Sequence, residues 1–232
     1  MSVATAVLAG PGPLIAPPGH VRFRIFVDFW NVQLTLNEHE VQSTRTPDAK
    51  FRIEWLKFPD CLVQEAVKII NASSYSYDGC IVYTSYNPKT DEGKKYHRWL
   101  RTWLDRQAGI HVNCRERGAK THPRCPICHR SIVTCPHPGC GQNIARSIEK
   151  GVDTAIATDM IRFAWEKAFD VAILATLDAD LIPAVEFLGQ RGFRILQAGF
   201  PPDGIALSGA CWATIDVFKI RDAFRLTTTS RP

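Results

Sequence analysis

The chain has 232 residues, with 28 Lys and Arg against 23 Asp and Glu for a formal net charge of +5, and it is 45% hydrophobic and 22% charged. That is a globular composition; it excludes a wholly disordered chain, a collagen-like repeat and a coiled coil, and a chain of this length buries a full core without disulfides or metal. No run of 18 apolar residues occurs, which excludes a transmembrane helix. Residues 1–20 carry no Lys or Arg and contain Pro11, Pro13, Pro17 and Pro18, so they read as a flexible tail and not a secretory signal; the expected location is cytoplasmic, with no membrane partner.

Arg22 to Asp28 is mostly apolar, β-branched or aromatic and ends in an acid, which predicts a buried strand. Residues 37–50, polar and holding Pro47, predict a loop. Residues 60–70 place Leu62, Ala66, Ile69 and Ile70 on one helical face with Asp60 as cap. A turn-rich link over Asn71 to Tyr77 leads to a strand over Cys80 to Tyr83. Thr90-Asp91-Glu92 opens a helix with acids in its first turn that is expected to run to Gly109. Ile110 to Cys114 is a third strand. After a Cys-, His- and Pro-rich segment, a helix is expected over Asp153 to Lys167 with Ile156, Met160, Ile161 and Ala164 as its stripe. Val171 to Thr176 is the most hydrophobic strand, Pro183 to Gln190 a helix closed by Gly192, and Phe193 to Ala198 a fifth strand. Strands alternating with helices predict a three-layer α/β/α fold with a mainly parallel sheet.

In such a sheet, ligands bind beyond the carboxyl ends of the strands. Asp28 ends the first strand, Asp178 and Asp180 follow the fourth, and Asp153 opens the helix before it. Four carboxylates converging there repel one another and demand a cation; a hard divalent ion, Mg²⁺ or Mn²⁺, suits oxygen ligands. An Asp after a strand is often only a cap or turn former, and Asp170 and Asp159 read as a turn residue and a solvated helix position. The run Leu177 to Asp180 is sharper, with two acids bracketing one residue directly after a buried strand. Competing signatures are missing: there is no G-x-G-x-x-G turn after the first strand, no phosphate-binding G-x-x-x-x-G-K-[ST] and no G-x-S-x-G elbow. Trp30 stands where an aspartyl-phosphate phosphatase has its second Asp.

Three blocks together resemble the NYN family of PIN-like, metal-dependent ribonucleases: Val27-Asp28-Phe29-Trp30-Asn31; Lys150-Gly151-Val152-Asp153 with Ala155, Ala157, Thr158, Asp159 and Met160; and Asp170 through Val185. The resemblance covers about residues 21–220. It departs at Phe29, where the family has Gly, at Thr176-Leu177, where it has Ser-Gly, and at Leu181, where it has Phe. It implies that Asp28, Asp153 and Asp178 hold the catalytic Mg²⁺ or Mn²⁺, that Asp180 is a further ligand or holds a water, and that Asn31 orients the scissile phosphate or Asp28. It also implies an endoribonuclease hydrolysing RNA phosphodiester bonds to leave a 5′-phosphate. The alternative is a non-catalytic RNA- or protein-binding module that keeps the fold; a nuclease acting on DNA is a third reading.

Between Lys94 and Arg130 ten cations face two acids. Lys94, Lys95, Arg98, Arg101, Arg117 and Lys120 are the candidate nucleic-acid contacts; Lys94, Arg98 and Arg101 share a helical face, with Trp99 and Trp103 expected buried on another. A charge run is also what a solvated face looks like; an acidic cleft binding a polyanion needs such flanking charge. Cys125-Pro126-Ile127-Cys128 and Cys135 through Cys140 form two knuckles six residues apart, the pattern of a zinc ribbon over residues 121–143 that holds a structural Zn²⁺ on four thiolates; His122, His129 and His137 are alternative ligands. The flanking PIN-like domain is then residues 21–120 and 144–226. Cys61, Cys80 and Cys211 read as small core residues. The expected partners are single-stranded RNA and, for assembly, a second copy of the chain in a homodimer.

Overall fold

The computed structural model describes residues 19–118, 120–147 and 149–227. The expected tail thus lies outside the described residues except for Gly19 and His20, and His20 already belongs to the first strand. β1 (His20–Asp28) runs straight into α1 (Phe29–Thr44), followed by α2 (Phe58–Ile70), β2 (Ser74–Tyr86), α3 (Asp91–Thr102) and β3 (Ile110–Glu116). A short antiparallel pair, β4 (Lys120–Thr121) with β5 (Arg146–Ser147), closes the cysteine segment. The second half is α4 (Val152–Trp165), β6 (Val171–Ala175), α5 (Ile182–Gly189), β7 (Arg194–Gly199), α6 (Ile205–Ala210), β8 (Ala213–Asp216) and α7 (Val217–Ile220).

Six strands form one sheet in the order β3-β2-β1-β6-β7-β8, every neighbouring pair parallel. The chain steps outward from β1 to β3, returns across the sheet, and steps outward again from β6 to β8. The order therefore reverses between β1 and β6, where Val27 lies opposite Ala175. This is the position at which open parallel sheets bind their ligands.

Alternation along the strands builds both covering layers. Ile25, Val27 and Ile173 pack with Val32 and Leu36 of α1, Leu62 of α2 and Leu100 of α3. Phe26, Ala172 and Leu174 pack on the other face with Ile156 and Met160 of α4, Val185 of α5 and Leu207 of α6. Because both faces are covered, all five residues of β6 are buried, which is why that strand is a continuous apolar run. The expected three-layer α/β/α architecture is the one observed.

Several expectations are corrected. Residues 37–44 are helix, not loop: α1 has no Gly or Pro, and its buried stripe Val32, Leu36 and Glu40 ends in a carboxylate. That carboxylate is held by Arg225 at 2.7 and 3.0 Å, an ion pair that hydrophobic periodicity cannot reveal. α2 starts at Phe58 with Pro59 in its first turn, Asp60 makes no cap, and Ile69 is exposed, its place taken by Val63. β2 begins at Ser74 because Ser74 to Tyr77 pair backbone-to-backbone with His20 to Phe23, which a polar run does not disclose. α3 ends at Thr102, and a separate turn of 3-10 helix, Leu104–Arg106, precedes Gly109. On α4, Ile161 is exposed and Val152 and Ala155 are buried. β8 is a sixth strand, four residues long, too short to show a period. Among the described residues no helix is long and apolar enough to cross a membrane.

Candidate active site

β1 and β6 deliver two acids to one sheet edge. Asp28, the last residue of β1, caps α1 by accepting the Asn31 N–H on Oδ1 at 3.1 Å. Asp178 follows β6 and caps a 3-10 turn over Ala179–Leu181, accepting the Asp180 N–H at 2.9 Å. Such caps satisfy helix N–H groups that lack a partner, so the local role of each acid fixes its rotamer. Asp153 lies in the first turn of α4. Before it, Gly151 has φ +78°, and Arg115 Nη1 stands 3.2 Å from where a Cβ would sit; the left-handed turn that aims Asp153 therefore requires glycine.

The acids feel one another. Asp28 is 6% exposed. Burial, reinforced by Glu149, Asp153 and Asp178, pushes its pKa up to about 6 against the lowering effect of the Asn31 N–H. Asp153 is raised by burial and then by Asp178, Glu149 and Asp180. Asp180 itself is exposed at the rim.

Glu149 is the member that spacing does not reveal. It accepts the hydroxyl of Ser85, near the carboxyl end of β2, and its Oε2 lies 3.2 Å from Arg117 Nη2. Arg117 Nε also donates to Ser85 Oγ at 2.8 Å, and its guanidinium lies 5.4 Å from the centre of the Trp30 ring. The only mark of Glu149 in the sequence is its place just ahead of Lys150-Gly151-Val152-Asp153. Arg117 is thus committed to the acid edge, where it offsets one carboxylate.

The side chain of Asn31 has a structural partner of its own. Its Oδ1 accepts the Leu177 N–H at 2.9 Å, tying the start of α1 to the loop that carries Asp178. Thr176, fully buried, completes this loop: its Oγ1 accepts the Asp178 N–H at 3.2 Å and its carbonyl accepts Gln197 Nε2 at 3.0 Å. The bulky Leu177 is accommodated beside Gly204, where a Cβ would come within 2.6 Å of Leu177 Cδ2. Phe29 is buried among Trp30, Trp55, Tyr96 and Trp99, with ring centres 5.2–6.3 Å apart. Neither departure displaces Asp28 or Asp178 from its cap.

Lys94, Lys95 and Arg98 are exposed on α3; Lys94 lies 3.7 Å from Asp91 and Arg101 2.9 Å from Asp105. No ion pair among the described residues joins these four to the acids. The side chain of Lys120 lies outside the described residues. Trp99 is half-buried and packs against the core, whereas Trp103, the residue after α3, is 39% exposed, so the expected burial fails at Trp103. Asp159 is no free solvated acid: it accepts Tyr83 Oη at 2.9 Å and pairs with Arg162. Asp170 binds Arg22 at 2.8 Å. Cys80 is buried, and Cys61 and Cys211 pack half-buried against the two cores.

The cysteine segment forms two turns. Cys125 N–H donates to the Arg130 carbonyl and His129 N–H to the Cys125 carbonyl, each at 2.9 Å; Cys135 N–H donates to the Gln142 carbonyl at 2.8 Å. The N–H groups of Cys128 and Ile127 point at the Cys125 sulfur and lower its pKa. Among the described residues no three His, Cys, Asp or Glu side chains are gathered tightly enough to hold a metal ion. The donor chemistry fits two different ions all the same: oxygen-only donors with surplus negative charge at the sheet edge suit a hard divalent cation, and four thiols on paired turns suit zinc.

No curated protein matches the chain by sequence. A crystal structure of a protein of unknown function from Vibrio parahaemolyticus matches with a TM-score of 0.51 and 18% identity, over 91% of this chain and 100% of that one; at that identity it speaks for the fold alone. The family model of the NYN domain matches residues 22–217, from the first residues of β1 to the start of α7. Its span takes in every acid of the sheet edge, and the chain belongs to the NYN domain family.

Proposed function

We propose that the protein is a Mg²⁺- or Mn²⁺-dependent endoribonuclease acting on single-stranded RNA. The observation that carries this reading is the charge coupling of Asp28 and Asp153 with Asp178 and Glu149 near the point where the strand order reverses, which together with burial pushes the Asp28 pKa up to about 6 and raises that of Asp153. Four carboxylates facing one arginine are costly to keep unless a cation is their purpose.

In this reading Asp28, Asp153 and Asp178 would hold the ion. When bound, it supplies Lewis acidity toward the phosphate and a lowered pKa for the attacking water. Asn31 and Thr176 keep the Asp178 loop in register with α1. Arg117 and Ser85 hold Glu149 at the back of the site. Asp180, at the open rim, would hold the water that attacks phosphorus; the P–O3′ bond breaks as the new P–O bond forms, and the proton lost by the water ends on O3′, leaving a 5′-phosphate and a 3′-hydroxyl. The cysteine hairpin is a structural zinc site on Cys125, Cys128, Cys135 and Cys140.

The test incubates the purified protein with labelled single-stranded RNA and DNA in Mn²⁺ or in EDTA, beside Asp28→Asn. Cleavage of RNA in Mn²⁺ is expected, with a loss of at least about 100-fold in the variant and in EDTA. Cleavage that persists in either defeats the mechanism, and RNA held but uncut makes the protein a binding module.

A further inference from the structure

Beside the acid edge, α1, the segment around residues 50–55 and α3 enclose a groove of about 490 Å³, within the range of ligand sites. Its wall is a ladder of rings. Tyr96 and Trp99 stack at 6.0 Å and 26°, Trp99 and Trp103 at 5.7 Å and 19°, and Trp55 lies on Phe29 at 5.6 Å and 10°. The ladder ends in water, since Trp103 is 39% exposed. A row of near-parallel rings open to solvent is costly for a protein that does not cover it.

Charge narrows the occupant. Lys50 and Arg52 line the groove and are exposed, and no acid lines it. Among the described residues neither cation has an ion-pair partner, whereas Lys94, Arg101 and Arg117 all do. Rings that accept any flat π-face, bordered by uncommitted cations, are the composition of a single-strand stacking platform. The groove is tied to the acids through one residue. Trp30 lines it, lies 5.1 Å from Tyr96, and donates its indole N–H at 2.8 Å to the carbonyl of Ser85, whose hydroxyl holds Glu149.

We propose that this groove is a base-binding subsite: an unpaired nucleobase of the RNA strand stacks on the Trp99–Trp103 ladder while Lys50 and Arg52 take the adjoining phosphates. It defines the substrate as a strand with unstacked bases near the scissile bond, because a paired base cannot enter. The choice of RNA as occupant rests on the nuclease reading; the stacking itself does not.

The test measures binding by the full chain in EDTA, where no cleavage is expected. The probes are a labelled ten-nucleotide oligouridylate and a phosphodiester strand of equal length built from abasic units. The base-bearing strand is expected to bind about ten-fold more tightly and to quench tryptophan fluorescence. Trp103→Ala is expected to abolish most of that preference and Trp103→Phe, which keeps a ring, to restore it. Lys50→Ala with Arg52→Ala is expected to weaken both strands alike and to flatten the salt dependence. Equal affinity for the two strands, a preference untouched in Trp103→Ala, or quenching by a proline-rich peptide and not by the oligonucleotide would overturn the proposal. Base preference without cleavage in Mn²⁺ sinks the nuclease reading and leaves the groove standing; cleavage without base preference does the reverse.

Discussion

Asp28 carries two burdens at once. It caps α1 through Oδ1, and it keeps a carboxyl 6% exposed beside three other acids. With a pKa near 6 in the folded chain and an ordinary value when unfolded, the folded state binds the proton more tightly. The contribution of Asp28 to the stability of the metal-free protein therefore falls as pH rises from about 4 to about 6 and stays unfavourable above that. Asn keeps the capping oxygen and loses the charge. We expect Asp28→Asn to stabilise the metal-free protein at pH 8 by up to about 3 kcal/mol, with the gain shrinking to nothing near pH 4. Urea unfolding at the two pH values measures it, and an equal gain at both would mean that charge is not the cause. The same physics explains what could be read at this scale. Asp28, Asp153 and Asp178 announce themselves because each ends a strand or opens a helix. Glu149 does not, because its partners Ser85 and Arg117 lie 64 and 32 positions away. The side chain of Asn31 reaches across 146 positions to Leu177, so its positioning role needed the fold.

Among the elements, α1 shows where periodicity stops informing. Val32, Leu36 and Glu40 are spaced as one buried face, and the third is a carboxylate. Arg225 makes two charge-assisted hydrogen bonds to it, and these hold the Glu40 pKa below the usual carboxylate range. Arg225→Ala leaves that buried carboxylate without its two hydrogen bonds and with only Arg221, 4.0 Å away, beside it. We expect it to cost about 2–3 kcal/mol, below the full cost of a severed interior pair because Arg225 keeps part of its surface in water. Exchanging both partners together, Glu40→Leu with Arg225→Met, should come within about 1 kcal/mol of the parent protein. A urea midpoint for the two variants decides; equal losses would show that the pair itself stabilises. Where burial alone built the element the reading was closer: β6 and α5 lie within a few residues of expectation. Ile69 and Ile161 were misplaced because their helices bury Val63, Val152 and Ala155 instead.

At the scale of the molecule, the alternation of strands and helices was enough for the parallel sheet, and the reversal between β1 and β6 brings the strand ends that carry Asp28 and Asp178 to one edge. The cysteine segment is a different kind of object. No residue between 121 and 145 is buried, and Ile127 is 88% exposed. A segment with no core of its own gains almost nothing from the hydrophobic effect and cannot repay its conformational entropy by burial. The backbone bonds of its two turns and the short β4–β5 pair are each worth only about 1 kcal/mol net. Four thiolates on the proposed zinc ion would supply what is missing. The hairpin also feeds the site, since β5 ends two residues before Glu149. We therefore expect about one zinc per chain in the purified protein, and expect Cys128→Ser to lose it. The variant should become susceptible to protease between 121 and 145 while the circular dichroism of the sheet and helices persists. It should also cut RNA more slowly, because Glu149 loses its anchored approach. Metal analysis that finds no zinc in a protein still protected there would show that the turns hold themselves, and the loss of rate in Cys128→Ser would then need another cause.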